Sequence, residues 1–115
     1  MTVPQEIADI PWRSPWSPVA SPQFEARLAK EVGPHHVLSE RPVIAVGRRI
    51  DTDDVLFYLP SGPAALAVVH LTWSTETPEP DSRFPFTHLY QSVSQWIEQC
   101  MIPDGNEFSQ GDGPA

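Results

Sequence analysis

Cysteine occurs once, at Cys100, so no internal disulfide can form and no Cys-based zinc site can be assembled. A reducing compartment fits that usage. Basic residues are also scarce: 7 Lys and Arg face 15 Asp and Glu, for a formal charge of −8. Residues 1–73 carry 8 acids and 6 bases, whereas residues 74–115 carry 7 acids and a single base, Arg83. Phosphate backbones and anionic lipid repel such a surface, which makes nucleic acid and membrane poor partners and favours a basic protein or a cation. The same acidity also serves plain solubility.

No hydrophobic run approaches membrane-spanning length, and Met1 to Ile7 has neither the basic start nor the apolar stretch of a secretory leader. A cytoplasmic protein is expected. The motifs of common enzymes are missing too. There is no Gly-rich phosphate loop, no dinucleotide fingerprint, no Gly-x-Ser-x-Gly and no His-x-x-x-His or His-Glu-x-x-His spacing. No cofactor and no metal are expected. Of the seven bases six are Arg, and Ala and Pro are abundant, a usage typical of a bacterium with a GC-rich genome.

What the chain does contain is enough for one domain. Residues 1–21 hold Pro4, Pro11, Pro15 and Pro18, each of which removes a backbone donor and biases its predecessor toward extended geometry. An extended arm without a helix is expected there. Trp12 and Trp16 give it apolar mass that should pack on the domain, and the proline spacing matches no PxxP ligand with flanking bases. Ser21-Pro22 marks a helix start, and Phe24, Leu28 and Val32 follow at four-residue spacing to Gly33-Pro34, with Arg27, Lys30 and Glu31 assigned to the solvent side.

From Pro42 the period changes. Val43 to Ile50, Val55 to Leu59 and Ala65 to Trp73 read as strands, separated by Asp51-Thr52-Asp53-Asp54 and Pro60-Ser61-Gly62-Pro63. In the third strand both faces are apolar near the middle, which predicts cover on both sides. Residues 74–86 read as a loop. Leu89, Val93, Trp96, Ile97 and Cys100 then predict a helix over about 87–101, and the residues from Pro103 onward a mobile tail. The expected fold class is α+β: a three-stranded antiparallel meander packed with an N-terminal and a C-terminal helix, with a Pro-rich N-terminal arm. The expected organisation is an arm over 1–21, a single domain over 22–102 and a flexible tail over 103–115. A core of about 80 residues is small, so stability should be modest and a homodimer stays open.

The strings VIAVGRRIDTDDVLF (43–57) and AVVHLTW (67–73), followed by a helix with Tyr90 and Trp96, resemble a family of small bacterial proteins with no assigned activity. The resemblance covers about residues 24–101 and implies a compact α+β domain. Its matching positions are Arg49, Asp51, Asp53, Asp54, His70, Thr72 and Trp73; His35-His36 and the loop from Pro78 to Phe86 depart from it.

Two groups of residues are candidates for chemistry. Asp51, Asp53 and Asp54 crowd one turn, where they either ligate a hard cation or, more simply, accept backbone N–H bonds and pair with Arg48 or Arg49. The glycine and distal Glu of an EF-hand are missing. His70 lies mid-strand as a core imidazole or as a general base, the latter requiring Asp53 or Asp54 within hydrogen-bond reach on the next strand, with Thr72 a weak nucleophile. The expectation is a protein-interaction module, of immunity or accessory type, that masks a basic partner with its acidic surface and with Trp73, Phe84 and Phe86. The alternative is a small hydrolase or metal-assisted enzyme using His70 with Asp53 or Asp54.

Overall fold

Alternating side chains from Ile44 onward do form a meander, but in the computed structural model it is the centre of a wider sheet. The structure describes residues 3–61, 64–72 and 85–112. Its elements are α1 (Gln5–Ala8), β1 (Trp16–Pro18), α2 (Pro22–Glu31), β2 (Ile44–Arg49), β3 (Asp54–Tyr58), β4 (Leu66–His70) and β5 (Thr87–Tyr90). A helical run completes it as α3 (Val93–Trp96), a π-helical turn (Ile97–Met101) and α4 (Ile102–Asp112). All neighbours are antiparallel and the strand order is β1-β2-β3-β4-β5.

The fold is therefore α+β with five strands rather than three, and both extra strands lie where helix or irregular chain was expected. β4 explains one of them. Its residues Leu66 to Val69 are buried on both faces, and a strand so placed needs a neighbour on each side to satisfy its backbone. β5 supplies it, pairing Leu66 with Tyr90 and Val69 with Thr87. The apolar spacing Leu89, Val93, Trp96 runs across the junction and mimics one continuous helix, whereas the helix starts only after Ser92, whose Oγ accepts the Gln95 N–H at 3.1 Å.

At the other edge, the arm adds β1, pairing Trp16 with Arg49 and Pro18 with Gly47. A proline is tolerated there because an edge strand has one unpaired side. The arm also contains the short helix α1, since Pro4 sits at its N-cap and Pro11 beyond its end, where neither ring obstructs an interior turn.

Each face of the sheet carries its own core. On one, Leu56, Leu66 and Val68 meet Ile7 and Ile10 of the arm and Trp96 and Met101 of the helical run. Trp96 is fully buried, with Trp16 and Trp12 edge-on to it at 5.3 and 5.8 Å between ring centroids. Gly47 makes room for this cluster, because a Cβ there would lie 2.5 Å from Cη2 of Trp12. On the other face, Phe24 and Leu28 of α2 and Leu38 cover Val55, Phe57 and Val69.

The segment expected to be a tail is helical through Asp112. Asp104 ties it down: Oδ2 accepts the buried Trp16 indole N–H at 2.9 Å and the Cys100 thiol at 3.4 Å, and Oδ1 faces Arg49 Nη1 at 3.4 Å. Glu31 is a second correction. It was assigned to solvent by its charge, yet it sits seven residues after Phe24, on the same inward stripe, and is only 6% exposed. No helix among the described residues is long and apolar enough to cross a membrane.

Candidate functional site

The β2–β3 turn and the register of β3 on β4 bring several of the sequence candidates onto one row. Thr52 shapes the turn, its Oγ1 accepting the Asp54 N–H at 3.1 Å. Asp54 then pairs directly with His70, and the residue beyond the Arg48–Val55 pair is Arg49, next to Asp54. On the far side, the His70 N–H donates to the Phe86 carbonyl at 3.0 Å. Arg49, Asp54 and His70 thus lie side by side across β2, β3 and β4, and Phe86, just before β5, continues the row. They share the face of the Trp96 layer, at the end that the helices leave open.

The charges on this row are partly matched. Arg49 forms a two-pronged pair with Asp51, Nε to Oδ1 at 2.7 Å and Nη2 to Oδ2 at 3.3 Å, while Nη1 faces Asp104. Burial opposes the guanidinium charge, but the hydrogen bond to Asp51 and the fields of Asp104, Asp51 and Asp54 outweigh it and raise its pKa. One cation is therefore set among three carboxylates, and the patch remains net negative. His70 Nδ1 lies 2.9 Å from Asp54 Oδ1, and the imidazole is half exposed.

Of the contacts that the general-base reading requires, the one between His70 and Asp54 is present, whereas the other candidates are dispersed. Thr72 turns to α2, giving its N–H at 2.7 Å and its hydroxyl at 3.0 Å to Glu31 Oε1, so it does not serve His70. Arg48 and Asp53 are exposed and share a recess of about 340 Å³ with Thr52 and Asp54, in which neither His70 nor Thr72 takes part. Trp73 and Phe84 lie outside the described residues, and Phe86 is 55% exposed. Among the described residues, no group of three or more His, Cys, Asp or Glu is placed to hold a metal ion.

Other polar side chains went unrecognised in the sequence. His36 is buried, with Nδ1 accepting the Leu38 N–H at 3.0 Å and Nε2 at 2.9 Å from the Pro85 carbonyl. That pattern sets the neutral Nε2–H tautomer and pins the loop after α2 to the start of β5. Glu31 and Asp104 bind partners distant in the chain, and only their spacing on a helical stripe, seven after Phe24 and four after Cys100, signals an inward direction. Beside Asp104, the Cys100 thiol is pushed up to about 12 by burial, then by the charge of Asp104 and its hydrogen bond. It is an inert core thiol at neutral pH.

No protein-family model matches the chain, and no match was found among curated proteins or among solved structures.

Proposed function

We propose that this domain is a protein-interaction module, of immunity or accessory type, that captures a partner with a basic surface through the open end of the sheet at Asp54, His70 and Phe86. What supports the reading is the make-up of that row: an exposed aromatic ring beside half-exposed polar groups, on a patch where carboxylates outnumber the one guanidinium, in a chain of net charge −8. Basic side chains of a partner would pair with Asp54 and stack on Phe86. A cytoplasmic setting, and kinship with the small bacterial proteins that share the strings 43–57 and 67–73, belong to the same proposal.

Replacing Phe86 with a photo-crosslinking phenylalanine analogue in the producing cells tests it. One dominant adduct is expected, with a basic protein, and it should weaken when Asp51→Asn and Asp54→Asn are combined or when salt is raised. Labelling that is unselective, or unchanged by both perturbations, refutes the reading.

A second reading has one observation in its favour, the 2.9 Å contact of His70 with Asp54, which would orient the imidazole as a general base. It ranks lower because the Thr72 hydroxyl is committed to Glu31 and the recess beside Asp54 excludes His70.

A further inference from the structure

Beside the start of β2, at the other end of that strand from Arg49 and between the arm and the start of α2, lies a groove of about 720 Å³. It exists because β1 stops early. Pro18 is the last residue of β1, the Val19 N–H still donates to the Val46 carbonyl at 3.0 Å, and the chain then turns away into α2 at Pro22, leaving Ile44 and Ala45 at the start of β2 without an outer strand. Ile44 and Val46 line the groove together with Val3, Ile7 and Trp12 from the arm and Val19 from the turn. The lining is almost wholly apolar, and it contains one ionisable side chain, Glu25.

Glu25 occupies the place a longer β1 would have filled. Its Oε1 accepts the Ala45 N–H at 2.9 Å, so the carboxylate satisfies the edge backbone and is itself held at the groove wall. Among the described residues no cation pairs with it, and no Lys or Arg lines the groove. Glu25 lies in the first turn of α2, where the helix dipole favours its charge, but no cationic side chain meets it; a half-buried carboxylate so placed, in an apolar trough of a size that accepts small molecules, has a definite complement.

We infer that this groove binds a small amphipathic cation, an aliphatic or aromatic body carrying an ammonium group that pairs with Glu25. The apolar part lies against Ile7, Trp12 and Ile44, and the charge sits at the free side of the carboxylate. The site shares no residue with the row around His70, and it stands or falls independently of the interaction proposed there.

The test is titration of the intact chain with octylamine, octanol and octanoate below their micellar concentrations, followed by NMR. Octylamine should give saturable shifts confined to the Trp12 indole N–H and the methyl groups of Ile7 and Ile44. Its affinity should exceed that of octanol by about tenfold, and octanoate should not bind. Glu25→Gln keeps an acceptor for the Ala45 N–H, and it should bring octylamine down to the level of octanol with the fold unchanged. As a second variant, Ala8→Trp at the exposed rim of the groove should block amine and alcohol alike. Equal affinity for the three probes, shifts scattered away from the groove, or octylamine binding that ignores both substitutions would overturn the inference.

Discussion

Replacing Asp104 with alanine removes the group that fastens the C-terminal helix to the N-terminal arm, and the structure allows its cost to be worked out. The largest part comes from Trp16. This residue is 2% exposed, and a buried indole N–H left without its acceptor costs about 1–3 kcal/mol. Arg49 keeps its two-pronged contact with Asp51, and the loss of its longer contact to Asp104, partly open to solvent, adds about 0–1 kcal/mol. The thiol of Cys100 is a weak donor and adds little. The sum is about 1–4 kcal/mol, a large share of the roughly 5–15 kcal/mol that holds a typical domain. Urea unfolding followed by tryptophan fluorescence should show a lower midpoint with an unchanged slope. Asp104→Asn, which retains an acceptor for Trp16, should cost under about 1 kcal/mol. In a double-mutant cycle Asp104→Ala and Trp16→Phe should couple by about 1–2 kcal/mol. If Asp104→Ala stays within about 0.5 kcal/mol of the parent, as a residue in a loose tail would, the described anchoring is wrong.

Two further outcomes are expected. Glu31→Ala deprives Thr72 and Arg27 of a buried carboxylate and should lower stability by about 3 kcal/mol in the same assay, whereas Lys30→Ala, exposed on the same helix, should stay within about 0.5 kcal/mol; equal effects would contradict the inward placement of Glu31. Alkaline pH should destabilise the domain through Cys100: the thiol stays protonated in the folded state to about 12 but ionises near its ordinary value of 9.0 when unfolded. The unfolded chain therefore releases its proton first as pH rises. Stability from this source is complete below pH 9 and falls by up to about 1.4 kcal/mol per unit toward pH 12. Tyr90, also raised by burial and by the neighbouring Cys100, adds to the same trend. A Cys100→Ala variant should flatten the stability–pH profile over that window, and thiolate absorbance appearing at pH 9 in the folded protein would refute the assignment.

How far the sequence reaches depends on the range of the interaction that decides each element. The central strands were legible because alternation is a local property: a run such as Val55 to Leu59 exposes its two faces to any reader of the chain. The stripe of Phe24 and Leu28 was legible for the same reason, and so was the burial of Trp96. β5 was not, because Leu89 happens to stand four residues before Val93, and a helical spacing conceals a strand whose existence is dictated by the bare edge of β4. β1 was hidden by its three residues and its proline, and α4 by Pro103, Gly105 and Gly111, which argue against a helix unless packing supports it. The His70–Asp54 pair could be named as a condition, since adjacent strands bring residues 16 apart into register, but only the actual register met it.

The chain by itself therefore determined an acidic α+β domain, three apolar strands with cover on both sides of the third, and a roof carried by Trp96. Tertiary structure decided the rest: the outer strands, the direction of Glu31, the anchoring of Asp104 and the groove beside Glu25. The physical reason is distance along the chain. Glu31 meets Thr72 across 41 residues and Trp16 meets Asp104 across 88, and a charged side chain reads as solvent-facing until the fold delivers the partner that allows it to be buried.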